Sequence, residues 1–314
     1  MGRYVARRLA GAAPTLFVVS VVVFLLAQLA PGDPVVRMLG SFATTQEIDR
    51  ARAEMGFDRP LVVQYAAWLA RAVQGDLGRS ITSNLPVGQM IAERLPRTLG
   101  LALLAVLVSI AIGVPAGVLA AVKQNTGFDQ ALMSFCMLGL SVPDFVTALL
   151  LVIVFSVELN LLPSMGYAPL SDGIGAYLSH LAMPSLSLGF MMAAVTARMT
   201  RSSVLDVLRQ DYVLTARSKG LTETQVIERH VLKSAMIPVV TVIGINFGAV
   251  FRGAVVIETL FSLPGIGRLI ITAIESRDYP LVQGCLLVVV TIYIAINLAI
   301  DLLYACLDPR IRYQ

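Results

Sequence analysis

The side chains able to do chemistry in this chain are few, and none forms a known catalytic grouping. His180 and His230 stand alone, and Cys136, Cys285 and Cys306 lie inside apolar runs with no metal or redox spacing. The cysteines read as small buried hydrophobes. There is no HExxH, CxxC or GxSxG, and no glycine-rich loop ends in Gly-Lys-Ser/Thr to hold nucleotide phosphates. No catalytic residue and no metal site is therefore expected, and the Met191-Met192 pair fits helix packing. The remaining chemistry is polar groups placed in apolar sequence. Asn246 and Arg252 interrupt one such run and Asp144 another, and an amide or charge in lipid is expensive and usually faces a cavity or a partner. If its helix begins near residue 131, Asp144 falls in the cytoplasmic third, with no role assigned. Arg252 can snorkel to the interface or pair with Glu258. Asp301 and Asp308 sit towards the inner end of the last run and are expected to cap or pair.

A second polar feature is a whole segment. Asp211–Pro238 is basic, polar and flanked on both sides by membrane-grade apolar sequence. Val204, Leu205, Leu208 and Tyr212 recur at helical spacing before it. That helix is expected to stop at Gly220, since glycine best tolerates the left-handed conformation closing a helix, with Arg217 and Lys219 favoured by the dipole in its last turn. Thr222 followed by Gln225 matches a capping box, so a second short amphipathic helix starts at once. The segment reads as a hinged elbow at a membrane face. Such an elbow serves a protein that something soluble must grip.

Composition places these features in lipid. Of 314 residues 57% are hydrophobic and only 14% charged, against roughly 25% charged in soluble domains; the mean hydropathy is +0.78. Arg3, Arg7 and Arg8 precede an apolar run from Leu9 to Ala30, too long for a signal peptide and read as an uncleaved first span. Residues 31–97 form the one sizeable polar stretch: a helix from Thr44/Glu47 to Gly56, a second capped by Asp58, a turn at Gly75-Asp76-Leu77-Gly78, and a third helix from Pro86 to Pro96. Five more apolar runs follow, at about 98–122, 131–157, 180–200, 236–257 and 282–306. Lysine and arginine favour cytoplasmic loops. Seven of them lie between Arg198 and Lys233 and none in loop 158–179, which puts both termini inside. The same bias accounts for the basic segment without nucleic acid.

In order along the chain, Arg3-Tyr4, Arg7-Arg8-Leu9, Pro14-Thr15-Leu16, Pro31-Gly32-Asp33-Pro34, Gly75-Asp76-Leu77-Gly78 and Arg94-Leu95-Pro96 are followed by Arg201-Ser202-Ser203. Then come Asp211-Tyr212-Val213, Thr215-Ala216-Arg217-Ser218-Lys219-Gly220-Leu221, Phe261, Pro264-Gly265-Ile266-Gly267, Arg277-Asp278-Tyr279-Pro280 and Asp308-Pro309-Arg310-Ile311-Arg312-Tyr313. Each is weak alone; in this order and spacing the chain resembles, end to end, the permease subunits of bacterial ABC importers of the peptide/nickel class, the dipeptide and oligopeptide permeases of the B type. It departs from the general pattern at Leu214, where a Glu is expected, at Pro238, which comes late, and at Arg252, where a small residue is usual.

The resemblance implies an all-α membrane protein with six transmembrane helices in the type I importer fold. Residues 1–30 would be the N-terminus and first span, 31–97 a helical periplasmic insert, and 98–314 a five-helix core with a cytoplasmic coupling loop at 201–235. It implies a second homologous permease, two ATPase subunits holding ATP-Mg, a periplasmic substrate-binding protein and the lipid bilayer as partners, with no cofactor in this chain. It makes Ala216, Arg217, Lys219, Gly220, Leu221, Thr222, Gln225, Val226, Ile227 and Val231 the ATPase-coupling set. In that set Ala216 would let the partner approach, and Val226, Ile227 and Val231 would offer an apolar face. Asn246 and Arg252 would line the translocation path, Arg252 drawing a peptide's C-terminal carboxylate. Phe261, Pro264, Gly265 and Asp76 would form the outer gate and meet the binding protein. Di- or oligopeptides are the expected cargo, with glutathione or a nickel chelate as alternatives. An ion-coupled secondary transporter is the rival class, and it would need coupling carboxylates and no elbow.

Overall fold

The computed structural model describes residues 2–29, 36 and 44–307 apart from 57. The described residues are helical almost throughout: α1 Gly2–Leu29, α2 Thr45–Met55, α3 Leu61–Val73, α4 Val87–Val122, α5 Gly127–Ser141 and α6 Asp144–Leu151, which runs on as a π-helical turn Val152–Glu158. After these come α7 Ile174–Leu208, α8 Asp211–Ser218, α9 Glu223–Val226 with a second π turn Ile227–Val231, α10 Leu232–Leu260, α11 Ile266–Glu275 and α12 Tyr279–Leu307. Among the described residues four helices are long and apolar enough to cross a membrane, and the bent pair α5–α6 makes a fifth span if counted as one. Among the described residues of α1 the stretch Ala13–Leu26 is apolar. The chain forms two compact units, Met1–Pro96 with Gly265–Ala295 and Arg97–Pro264 with Ile296–Gln314.

The first unit is built from caps, rings and one buried acid. Thr44 and Glu47 close the expected capping box, with Glu47 Oε2 accepting from the Thr44 N–H at 2.8 Å, and Gly56 ends α2 at φ 72°. The bonds from the Thr44 backbone and then its hydroxyl hold the Glu47 carboxyl below the usual range. Pro60, rather than Asp58, occupies the cap of α3, and no side chain caps it. A proline ring pre-sets the φ of a helix start, so the cap was not needed. On one face of α3 the Tyr65 and Trp68 rings pack 5.5 and 5.9 Å from Phe24 of α1, and Tyr65 Oη shares a 2.8 Å hydrogen bond with Ser20 Oγ.

Asp278 ties the turn after α3 to the start of α12. Its fully buried carboxylate accepts from Ser80 Oγ at 2.5 Å, Ile81 N at 3.1 Å, Thr82 N at 3.2 Å and Thr82 Oγ1 at 2.9 Å. Beside it Ile266, Leu269, Ile270 and Ala273 of α11 recur at i, i+3, i+4 and i+7, packing on Val87, Ile91 and Leu281.

In the second unit the helices approach to backbone contact. A methyl on Gly113 would lie 2.7 Å from Ala193 O, and one on Gly117 2.5 Å from Ala197 O, so at these glycines the backbone of α4 lies directly on α7 beside Thr196 and Thr200. Small residues at such a crossing are what dispersion-driven packing in lipid selects. Ser109 and Thr196 share a 2.9 Å hydrogen bond at the same crossing, Thr98 Oγ1 donates to buried Glu258 at 2.6 Å, and Ser203 Oγ of α7 donates to Ala235 O of α10 at 2.7 Å. Leu101, Leu181, Leu188, Ile257, Phe261 and Leu263 fill the core between them.

Four expectations are corrected here. Pro96 does not end a third helix: α4 runs through it as one element of 36 residues. A proline costs a single ladder bond, and a long apolar helix with packed neighbours absorbs that loss. The run 131–157 is two helices bent by 102°. The break is at Val142-Pro143, because the residue before proline is driven to extended backbone, here φ −91°, ψ 123°. Between Leu208 and Tyr212 the helix breaks at Arg209-Gln210, and the elbow's second helix is the first turn of the long helix that continues into α10.

Candidate functional site

The elbow carries the clearest local design. α8 ends at Ser218, and Gly220 follows at φ +82° with no heavy atom within 4 Å of a would-be Cβ. The left-handed turn is thus what requires glycine there, not a close neighbour. Thr222 accepts from Gln225 N, and Gln225 Oε1 accepts in return from Thr222 N at 3.1 Å, closing the expected capping box. One brace was not expected from the sequence. Arg217 donates from Nε to Glu223 Oε1 at 2.8 Å and from Nη2 to Oε2 at 3.1 Å, across the turn. Glu223 is largely exposed and Arg217 half-buried, so the pair adds at most about 1 kcal/mol, but its forked geometry holds the angle between the helices.

The elbow's outer face differs from the expected one. Ala216, Val226 and Val231 are buried with Ala121, Val204, Val213 and Ala235 in the chain's own cluster, with Leu221 packed against its edge. Burial of one side of a short amphipathic helix is what keeps it on the membrane-facing core. Ala216, Val226 and Val231 therefore present nothing outward, and Ile227 is half-buried. Exposed instead are Tyr212, Leu214, Lys219, Gly220, Thr222, Glu223 and Gln225, while Arg217 is half-buried. Leu214 and Glu223 carry no periodic signal that marks them in advance.

At the other end of α10, Phe261 and Leu263 belong to the core, 1% and 2% exposed. The Phe261 carbonyl accepts from Gly166 N at 2.9 Å, and Arg97 donates to Pro264 O at 3.1 Å. Phe261, expected at the outer gate, is packed in the core at the end of α10. Pro264 is half-buried and Gly265 buried. Asp76 is exposed, with Oδ1 accepting from Gly78 N at 2.9 Å.

Of the intramembrane polar groups, Asn246 and Asp144 meet one face of α10, and Arg252 is turned about 100° from it. Asn246 and Gly253 are seven residues apart, hence on one face and about 10 Å from each other along the axis. Asn246 Nδ2 is buried with no partner among the described residues. Asp144 opens α6 after the bend, and its Oδ2 lies 2.7 Å from where a Cβ on Gly253 would be. It stands past the whole length of α5 (15 residues, Gly127–Ser141), not in the early part of a continuous helix. Arg252 is exposed and forms no ion pair among the described residues, so the pairing with Glu258 is not the arrangement found. Nearer the elbow, Arg201 of α7 clasps Asp129 of α5 with bonds of 2.7 and 2.6 Å, the acid 3% exposed.

Known proteins agree with this architecture. Residues 113–313 match the family of binding-protein-dependent transport system inner membrane components, and residues 1–102 match the N-terminal family of such components. A putative peptide transport system permease protein of Brucella abortus (strain 2308) is 44% identical over 314 residues, all of both chains. The glutathione transport system permease protein GsiC of Escherichia coli (strain K12) is likewise 44% identical over 314 residues, all of both chains. The structure of the MetNI methionine ABC transporter in inward-facing conformations superposes with a TM-score of 0.59 at 15% identity, covering 70% of this chain and 97% of that one, a likeness of fold. The chain belongs to the binding-protein-dependent transport system inner membrane components, the permeases of ABC importers.

Proposed function

We propose that this chain is one of two permease subunits of an ATP-driven importer that passes di- or oligopeptides from a periplasmic binding protein, and that its elbow couples it to an ATPase subunit. The elbow carries the reading. Its turn is set by Gly220, its second helix is capped by Thr222 and Gln225, and its angle is braced by Arg217 and Glu223. A preshaped, braced projection transmits a push as a rigid body, which is what domain-level switching needs. Tyr212, Leu214 and Lys219 face outward on it, and we assign them to the ATPase cleft alongside Gly220, Thr222 and Gln225. ATP-Mg is held in the partner subunits, and this chain carries no cofactor.

The peptide cargo rests on the names of the relatives; glutathione, itself a peptide, is the second reading because a glutathione permease is equally similar. In this reading α1 completes six spans with both termini cytoplasmic, residues 31–97 form a periplasmic insert, and 98–314 form the permease core with its coupling loop at 201–235. Asn246 and Arg252 line the path, while Asp76, Pro264 and Gly265 lie at the outer side where the binding protein delivers. The test is to purify the tagged chain from native membranes in mild detergent, identify what comes with it, and measure uptake in vesicles. A second permease, ATPase subunits and uptake that needs ATP are expected. A chain that purifies alone, or uptake driven by an ion gradient without ATP, refutes the reading.

A further inference from the structure

Asp144 has no place in the coupling machinery and no hydrogen bond or ion pair among the described residues. It is half-buried in an apolar span, where an unpaired carboxylate is costly and calls for a counterion. Its carboxylate lies against Gly253, the residue next to Arg252, which is also without an ion partner. An acid and a base thus stand at adjoining positions of α6 and α10 without neutralising each other. Gly253 is what lets the acid come so close, since a methyl there would meet Asp144 Oδ2 at 2.7 Å and Leu188 Cδ2 at 2.8 Å. A ligand with a single charge neutralises one of the two and leaves the other exposed to the apolar span. A zwitterion neutralises both.

We infer that Asp144 and Arg252 form a transit site for the two ends of a short peptide, Asp144 taking the α-ammonium and Arg252 the α-carboxylate. The inference rests on the peptide reading above and deepens it by assigning the acidic half of the site. The unpartnered Asn246 amide lies about two turns from Gly253 on the same face, placed to donate to a peptide carbonyl as the chain passes. Asp144 is a specificity residue, since it meets the cargo in passage and has no part in ATP hydrolysis.

The test uses the complete importer, with its partner permease, ATPases and binding protein, in liposomes, and trialanine as probe. Asp144→Asn is expected to lower the maximal ATP-dependent uptake rate at least tenfold. The concentration for half-maximal uptake and the basal ATP hydrolysis should stay unchanged, and Asp144→Glu should recover a third of the rate or more. A merely structural role for Asp144 would lower basal hydrolysis of the assembled complex instead, and that result overturns the inference. Wild-type uptake by Asp144→Asn overturns it too. Should Asp144→Asn fail to assemble, Gly253→Ala displaces the carboxylate while keeping its charge. Loss of uptake in that variant with hydrolysis intact supports the site, and full uptake removes it. If the wild-type complex imports no peptide, the peptide reading fails and the transit site falls with it; wild-type uptake matched by the variant refutes the site alone.

Discussion

Replacing Asp129 by Ala should loosen the cytoplasmic end of α5 by about 2 kcal/mol. Breaking a buried ion pair by removing one partner costs about 3–5 kcal/mol when the survivor stays buried. Asp129 is 3% exposed, but Arg201 is 26% exposed and can turn its guanidinium towards water, so part of that cost is relieved. The acid also sits in the first turn of α5, where the helix dipole favours it by about 0.3–1 kcal/mol, and it accepts from Asn125 N at 3.0 Å. Those contributions are lost with Asp129 whether or not Arg201 is present, so a double-mutant cycle is needed to isolate the pair. The assay is thermal unfolding of the purified complex for wild type, Asp129→Ala, Arg201→Ala and the double variant. A loss of about 2 kcal/mol corresponds to about 3 °C for a chain of 314 residues at about 2.1 cal/mol/K of unfolding entropy per residue, and the double variant should be no worse than the worse single one. If the two losses simply add, with a coupling below about 0.5 kcal/mol, the clasp contributes nothing as a pair and the reasoning is refuted.

Three further outcomes follow from the same geometry. Gly220→Ala forces a side chain into a left-handed turn at about 1–2 kcal/mol with no steric clash; the complex should assemble while ATP-driven uptake falls several-fold, and unchanged uptake counts against the coupling role. Gly117→Ala puts a methyl 2.5 Å from the Ala197 carbonyl and should cost about 1–3 kcal/mol in a thermal melt, whereas Gly127→Ala, with nothing within 4 Å, should be near neutral. Thr222→Ala removes the cap and should cost about 1 kcal/mol locally, read as faster amide exchange over residues 223–227 with little change elsewhere.

The parts legible in the sequence were those governed by local chemistry. Thr44/Glu47 and Thr222/Gln225 closed the expected boxes, and Gly56 and Gly220 took the left-handed turns. A cap is decided within four residues, so pattern suffices for it. What pattern missed depends on contacts made across the chain. Val226 and Val231 look like an outward apolar face on a short helix, but Val204, Val213 and Ala235 cover them. Pro96 and Val142-Pro143 carry the same local signal, and only the second breaks its helix; packing decides between them. The clasp of Asp129 with Arg201 spans 72 residues, and no spacing rule reaches that far.

The Asp278 knot joins residues separated by 198 positions, from Ser80 to Asp278. At about 5–20 residues per second of synthesis, the Ser80–Thr82 turn waits on the order of 10–40 s for its acceptor. Until then the hydroxyls and N–H groups that later point at a buried carboxylate must be met by water or by a chaperone. The N-terminal unit is thus completed last although it is made first. Chains stopped before residue 278 should leave the turn at 80–82 open to proteolysis, so cutting there during synthesis marks a molecule whose final span has not yet arrived.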